Sequence, residues 1–352
     1  MKRYINIFLV TGTYIATLIG AGFASGQEIL SFFIKYGNIS IFGIIGVSIL
    51  FGLTAYAILN KCAQLKTSGF REYLSCIVPK PFDGLIEIII FLFMMTVFCT
   101  MAAGCGSALN QMYGIHTMTG VLTICILCTV CFMFDIRALL VVNGIIAPII
   151  IIGIIAVCFN VLVYRETAVF GSISDILADN WAVSGLSYAS YNILTAVAIL
   201  SDASNKITNK KDAKIVGILS GGFFLCIMVL VWAVISIYCG KIPLGEIPML
   251  TIVSRLGKAW QVMYTVIFML AILSTALSNG FGITEKITVL TGVNRNIIGL
   301  AVGAAGFLGA GIGFEKLVGD GYNMCGYIGM ILLAMILRDN AKDFLSYIKT
   351  KK

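Results

Sequence analysis

Ile19-Gly20-Ala21-Gly22-Phe23-Ala24-Ser25-Gly26-Gln27-Glu28 interrupts an otherwise apolar segment that extends from about residue 5 to residue 34. Three glycines fall within seven residues and a carboxylate follows. In hydrocarbon an unsatisfied backbone amide costs several kcal/mol, so a chain unwinds at membrane depth only where the freed groups are buried in protein or bind something. The stretch therefore marks a binding site inside a membrane-spanning segment.

The surrounding composition supports that setting. Of 352 residues, 59% are apolar and 11% are charged, with a mean hydropathy of +1.01; a soluble domain carries about 25% charged residues. At about 20 residues per crossing, the apolar runs predict ten helices near 5–34, 38–60, 84–112, 117–134, 138–163, 181–200, 213–239, 259–283, 296–313 and 321–337. The first run is too long for a cleaved signal peptide, so it is expected to stay in the mature protein. The chain reads as an all-α integral membrane protein forming one polytopic domain over residues 1–352.

Charge sets the expected orientation. With the amino terminus inside, only Lys35, Arg165, Lys241, Arg255, Lys258 and Lys316 fall outside, and the other eighteen of the 24 lysines and arginines fall inside. This bias predicts cytoplasmic termini. The net charge of +8 then reflects topology and anionic lipid rather than nucleic acid. Most of the eleven cysteines lie within the spans and behave as small hydrophobes. Cys125, Cys128 and Cys131 recur at a helical stripe spacing in a predicted span, 117–134, that holds no histidine or carboxylate, and His116 is the single histidine. Neither builds a metal site. With no Walker-type phosphate loop and no zinc-protease helix motif, ATP-driven pumping and metalloproteolysis lack support; no nucleophile and base pair among the spans, so an enzyme is not expected.

A second polar interruption, Gly185-Leu186-Ser187-Tyr188-Ala189-Ser190-Tyr191-Asn192, opens the sixth span. Paired interruptions at corresponding places in two halves point to an inverted-repeat secondary transporter with its site at the midplane. The expected repeats cover about 5–163 and 181–337, and five helices per half make them run in opposite directions. The first and sixth helices are expected to be unwound at mid-membrane.

Gly20-Ala21-Gly22-Phe23-Ala24 resembles the first-helix glycine motif of the amino acid-polyamine-organocation superfamily, and the longer stretch through Glu28 resembles its YkvI-like branch. The resemblance implies the fold of the bacterial leucine transporter, in which helices one and six unwind at the site and helix eight helps hold a sodium ion. Carried over residue by residue, it puts the carbonyls of Gly20, Phe23 and Ala271 and the hydroxyls of Ser274 and Thr275 around Na+ as the coupling ion, with no other cofactor. Some proton-coupled relatives place a lysine from the fifth helix there; residues 138–163 contain none.

Around the break, Ala21, Gly22, Phe23, Ala24, Ser25 and Gly26 are expected to seat a substrate carboxylate on the amides of the half-helix. Carbonyls freed near Ser187 and Ser190 would receive an ammonium group, Tyr188, Tyr191 and Phe23 would wall the side-chain pocket, and Asn192 would orient a polar group. For the two tyrosines, packing between helices is an equal reading. Gln27 and Glu28 are candidates for gating or coupling. A carboxylate within a span costs about 2.5–3.5 kcal/mol, so Glu28 either closes a capping box with Ser25 or binds a proton or cation. The function expected is sodium-coupled uptake of an amino acid or small amine. The alternatives are proton coupling through Glu28 and a non-transporting amino-acid receptor of the same fold, as in spore germinant receptor subunits. Oligomeric state is left open.

Overall fold

A chain this apolar satisfies its backbone within its own helices, because hydrocarbon offers no partner. The computed structural model describes residues 2–65, 69–133, 136–163, 180–207 and 209–350; Lys66, Arg165, Lys351 and Lys352 of the charge count lie outside them. The leading segment is built from α1 (Lys2–Leu18), α2 (Ala21–Ser25) and α3 (Gln27–Phe32). The first half continues with α4 (Ser40–Leu65), α5 (Phe70–Ile77), α6 (Lys80–Tyr113), α7 (Thr117–Phe132) and α8 (Ile136–Val163). The second comprises α9 (Trp181–Ala203), α10 (Lys210–Tyr238), α11 (Pro248–Ser254), α12 (Lys258–Thr291), α13 (Arg295–Ala310), α14 (Phe314–Lys316), a π turn (Leu317–Gly321) and α15 (Tyr322–Thr350).

Among the described residues, six helices are long and apolar enough to cross a membrane, in α4, α6, α9, α10, α12 and the unit ending in α15, and shorter apolar helices occur in α7, α8 and α13. Their ends are punctuated by local chemistry. Asn209 accepts from the Asp212 amide at 2.9 Å to cap α10, Asn294 caps α13 in the same way, and left-handed Gly114 and Gly292 close α6 and α12. The outward faces expose large side chains such as Phe8, Phe42, Ile49, Leu92 and Phe159, as a lipid-facing surface requires.

The contacts between helices have the form of an inverted repeat. The leading segment and α9 pack on each other; α1 packs on α10 as α9 packs on α4; α4 and α10 cross; α6 and α12 pair, as do α7 and α13. The α4 and α10 crossing is close because it is lined by glycine: a β-carbon on Gly217 would stand 2.5 Å from the Gly52 carbonyl oxygen. This is the small-residue contact favoured in lipid.

The end of the bundle that carries both termini is tied by ion pairs between distant segments. Arg3 donates twice to Asp212 Oδ1, at 2.6 and 2.8 Å, joining α1 to α10. Lys61 meets Asp339 at 2.8 Å and Lys286 meets Glu87 at 3.3 Å. Asp212 lies in the first turn of α10, where Asn209 Nδ2 also donates to its Oδ2 at 2.9 Å. Asp212→Asn removes the charge that Arg3 meets, so in thermal melts wild type should be the more stable of the two.

Candidate functional site

The break in the first segment has a definite geometry. Gly20 is extended, which ends α1 at Leu18, and Gly26 sits at φ +79, separating α2 from α3. That conformation costs an L side chain about 1–2 kcal/mol, and glycine little. Ser25 Oγ donates to the Gly22 carbonyl at 2.6 Å and accepts from the Gln27 amide at 3.0 Å, so the hydroxyl bridges the two short helices.

The expected capping box does not form. Glu28 does not return to Ser25; its carboxylate folds over Gly22, where a β-carbon would overlap Oε1, and Oε2 accepts from the Tyr188 hydroxyl at 3.2 Å. Left-handed Gly26 takes the cap position of α3 and moves Ser25 out of register for the box. Glu28 is buried and holds no ion pair among the described residues. The Tyr191 hydroxyl lies next to the same carboxylate but closes no hydrogen bond, and neither does buried Gln27 Oε1; the Gln27 amide nitrogen donates to Ser31 Oγ at 3.3 Å.

The second expected break is also corrected. α9 runs unbroken through Gly185, Ser187, Tyr188, Ser190, Tyr191 and Asn192. Its polar side chains bond back to their own helix: Ser190 to the Leu186 carbonyl at 2.7 Å, and Asn192 to the Tyr188 carbonyl at 3.0 Å. With their polar groups bonded to the preceding turn these side chains are satisfied within the span, and the single glycine does not part the helix, so no unwound carbonyls arise there. Ser187 and Ser190 instead face α15, where β-carbons on Gly326 and Gly329 would meet them, and Ser187 donates to Asn323 Oδ1 at 3.1 Å. Tyr188 and Tyr191 turn toward the break and pack with Phe32 at ring distances of 5.4 and 5.5 Å; Tyr322 lies 5.0 Å from Tyr191. Phe23 points elsewhere, stacking on Phe224 of α10 at 5.8 Å.

α12 runs along the other side of the break. Gly20 faces Thr275, such that a β-carbon on Gly20 would stand 3.6 Å from Thr275 Oγ1. Ala271 is buried one turn earlier and Ser274 is half-buried. The Gly20 and Phe23 carbonyls accept from the Ala24 and Gly26 amides at 3.0 Å, and each carbonyl retains a second lone pair. Ala21 and Ala24 are buried in the same turn. Among the described residues no group of three or more histidine, cysteine, aspartate or glutamate side chains could hold a metal.

Sequence reasoning overlooked Tyr264, whose hydroxyl donates to the Ala24 carbonyl at 2.5 Å. Tyr264, Phe268, Ala271 and Thr275 recur at helical spacing, and that face was the available signal. Tyr264→Phe leaves the buried carbonyl without this donor, and a stability loss of about 1–3 kcal/mol is expected in thermal melts.

No family model matches the chain. In sequence it is similar to two Bacillus subtilis proteins: the uncharacterized membrane protein YkvI, 22% identical over 330 residues covering 92% of this chain and 93% of the relative, and the uncharacterized protein YyaD, 26% identical over 324 residues covering 92% and 94%. In structure it is similar to the inward-facing conformation of Mhp1, a nucleobase-cation-symport-1 family transporter, with TM-score 0.59, 14% identity and coverage of 95% of this chain and 76% of that one. The Eremococcus coleocola manganese transporter gives TM-score 0.58 at 13% identity, covering 93% and 76%, and a Na+-coupled sialic acid symporter gives 0.51 at 12%, covering 96% and 85%. The chain thus has the leucine-transporter-like fold that these non-catalytic membrane transporters share, and it is related in sequence to YkvI.

Proposed function

We propose that the protein is a secondary active transporter that couples Na+ to the uptake of an amino acid or related small amine by alternating access. Its substrate and coupling sites lie around the Gly20–Glu28 break, between α9 and α12. The reading takes the chain as ten spans in two inverted repeats, about 5–163 and 181–337, with both termini cytoplasmic in a bacterial plasma membrane. The observation that carries it is the juxtaposition of a glycine-hinged break with Thr275 on one side and a buried carboxylate on the other. An all-oxygen neighbourhood of backbone carbonyls with Ser274 and Thr275 suits a hard monovalent cation, and an inward Na+ contributes about 2.3 kcal/mol per 100 mV.

Binding of Na+ would tie α12 to the break, and a ligand that binds one conformation better shifts the population toward it. Melting the purified protein in sodium against potassium chloride at equal ionic strength tests the ion. A sodium-specific rise in Tm that Thr275→Ala abolishes supports the assignment; equal melts in the two salts sink it. Glu28 supplies a second reading, proton coupling, because a buried carboxylate with no basic partner among the described residues is a natural proton carrier in a span.

A further inference from the structure

At the opposite end of the bundle from the termini, a cavity of about 500 Å³ lies between α6, the start of α7, the 243–254 segment and the start of α12. Its size falls within the range of about 300–1,000 Å³ typical of small-molecule sites. Glu246, partly buried, lines it, and among the described residues no lysine, arginine or histidine does.

The polarity of this wall leans toward acceptors. Asn110 gives one amide hydrogen to the Ile115 carbonyl at 3.0 Å, Gln111 gives its own to Thr251 Oγ1 at 2.7 Å and the Ile247 carbonyl at 3.4 Å, and Gln261 gives one to Met112 Sδ at 3.5 Å. Hydroxyls of the wall are engaged as well: Thr251 donates to the Leu244 carbonyl at 2.5 Å, Ser254 to the Thr251 carbonyl at 2.7 Å, and Ser107 to Glu246 Oε2. What these side chains still offer is mostly acceptor oxygen, namely amide carbonyls of Asn110, Gln111 and Gln261 and a carboxylate with one oxygen not engaged by Ser107, beside a second amide hydrogen on Asn110 and on Gln261 and the Thr117 hydroxyl. Gln111 Oε1 stands 3.4 Å from where a β-carbon on Gly245 would be. A wall richer in acceptors than donors, around a carboxylate that faces no lining cation among the described residues, favours a cation with several N–H donors. A bare metal ion would leave most of the volume unfilled.

We propose that this cavity is a second binding site, separate from the break, for a small organic cation carrying N–H donors, a primary ammonium or a guanidinium, with Glu246 as its counter-charge. The wall between the two sites is α11. Met249 abuts Gly26, where a β-carbon would stand 2.9 Å from Met249 Cγ, whereas Leu250, Thr251 and Ser254 line the cavity. This assignment does not depend on the transport reading.

The test is calorimetric titration of the full-length protein in detergent with agmatine, butylamine, tetramethylammonium, butyrate and calcium chloride. Agmatine or butylamine should bind, tetramethylammonium should bind at least tenfold more weakly because it donates no hydrogen bond, and butyrate and calcium should be silent. Glu246→Gln should weaken the amine at least tenfold. Gln261→Leu, which removes one acceptor and keeps the carboxylate, should weaken it severalfold, and it supplies the test if Glu246→Gln does not fold. Tetramethylammonium binding as tightly as butylamine, amine affinity indifferent to both substitutions, a calcium response, or no binding by any amine would each overturn the proposal.

Discussion

Gly26→Val is expected to lower stability by about 2–5 kcal/mol, the sum of a left-handed backbone forced on a β-branched residue and an overpacked contact. Gly26 adopts φ +79 between the two short helices. A β-carbon there would stand 2.7 Å from Ile235 Cδ1 and 2.9 Å from Met249 Cγ, so α10 and α11 close on the position from two directions. Neither pressure is relieved by the other, since moving the flanking side chains leaves the backbone strained. The readout is the midpoint of thermal unfolding in detergent, together with the yield of monodisperse protein. A Gly26→Val variant that melts with wild type would mean that the left-handed joint is not part of the folded break.

Gly22→Ala should destabilise by about 2–4 kcal/mol, through overpacking and the loss of the buried carboxyl's hydrogen bond with Tyr188. The added methyl would occupy the place of Glu28 Oε1, so the carboxylate has to leave Gly22 and pull away from Tyr188. The cause is separable by a double-mutant cycle. With Glu28→Ala in the background the methyl meets no carboxylate, and Gly22→Ala should then cost under about 1 kcal/mol, within the range of ordinary substitutions. A coupling near zero would show that Gly22 and Glu28 do not share this space.

The sequence made the first break legible and the second misleading, for the same physical reason. Gly20, Gly22 and Gly26 lie close together in one span, and extended Gly20 and left-handed Gly26 part it into short helices. Gly185 stands alone, and Ser190 and Asn192 after it bond back to the preceding turn. Polarity in a span signals either unwinding or a helix contact, and glycine on the partner helix decides between them: Gly326 and Gly329 of α15 lie against Ser187 and Ser190. The meeting of Gly20 with Thr275 followed an expectation taken from resemblance, whereas Tyr264 could have been read from the spacing of its own helix.

Contacts between residues far apart in the chain were beyond periodicity. Nothing local to Arg3 points to Asp212, and nothing in the loop sequence around Glu246 announces Ser107. Glu28 was legible as a buried carboxylate that needed a partner, but its partner was not. The capping-box spacing from Ser25 to Glu28 is genuine in the sequence, yet left-handed Gly26 between them redirects the glutamate to Tyr188. The predicted seat for a substrate carboxylate is altered as a result. The helices flanking Gly26, Ala21–Ser25 and Gln27–Phe32, are short, and the carboxylate against Gly22 is the protein's own.

The transporter reading is tested most directly by reconstituting the protein in liposomes and following a panel of labelled amino acids and amines under an imposed inward sodium gradient. The account predicts that at least one compound accumulates above its external concentration, that accumulation collapses when the gradient is dissipated, and that Thr275→Ala vesicles do not accumulate it. Ligand binding without accumulation under either a sodium or a proton gradient would contradict it and leave a receptor with a transporter's fold.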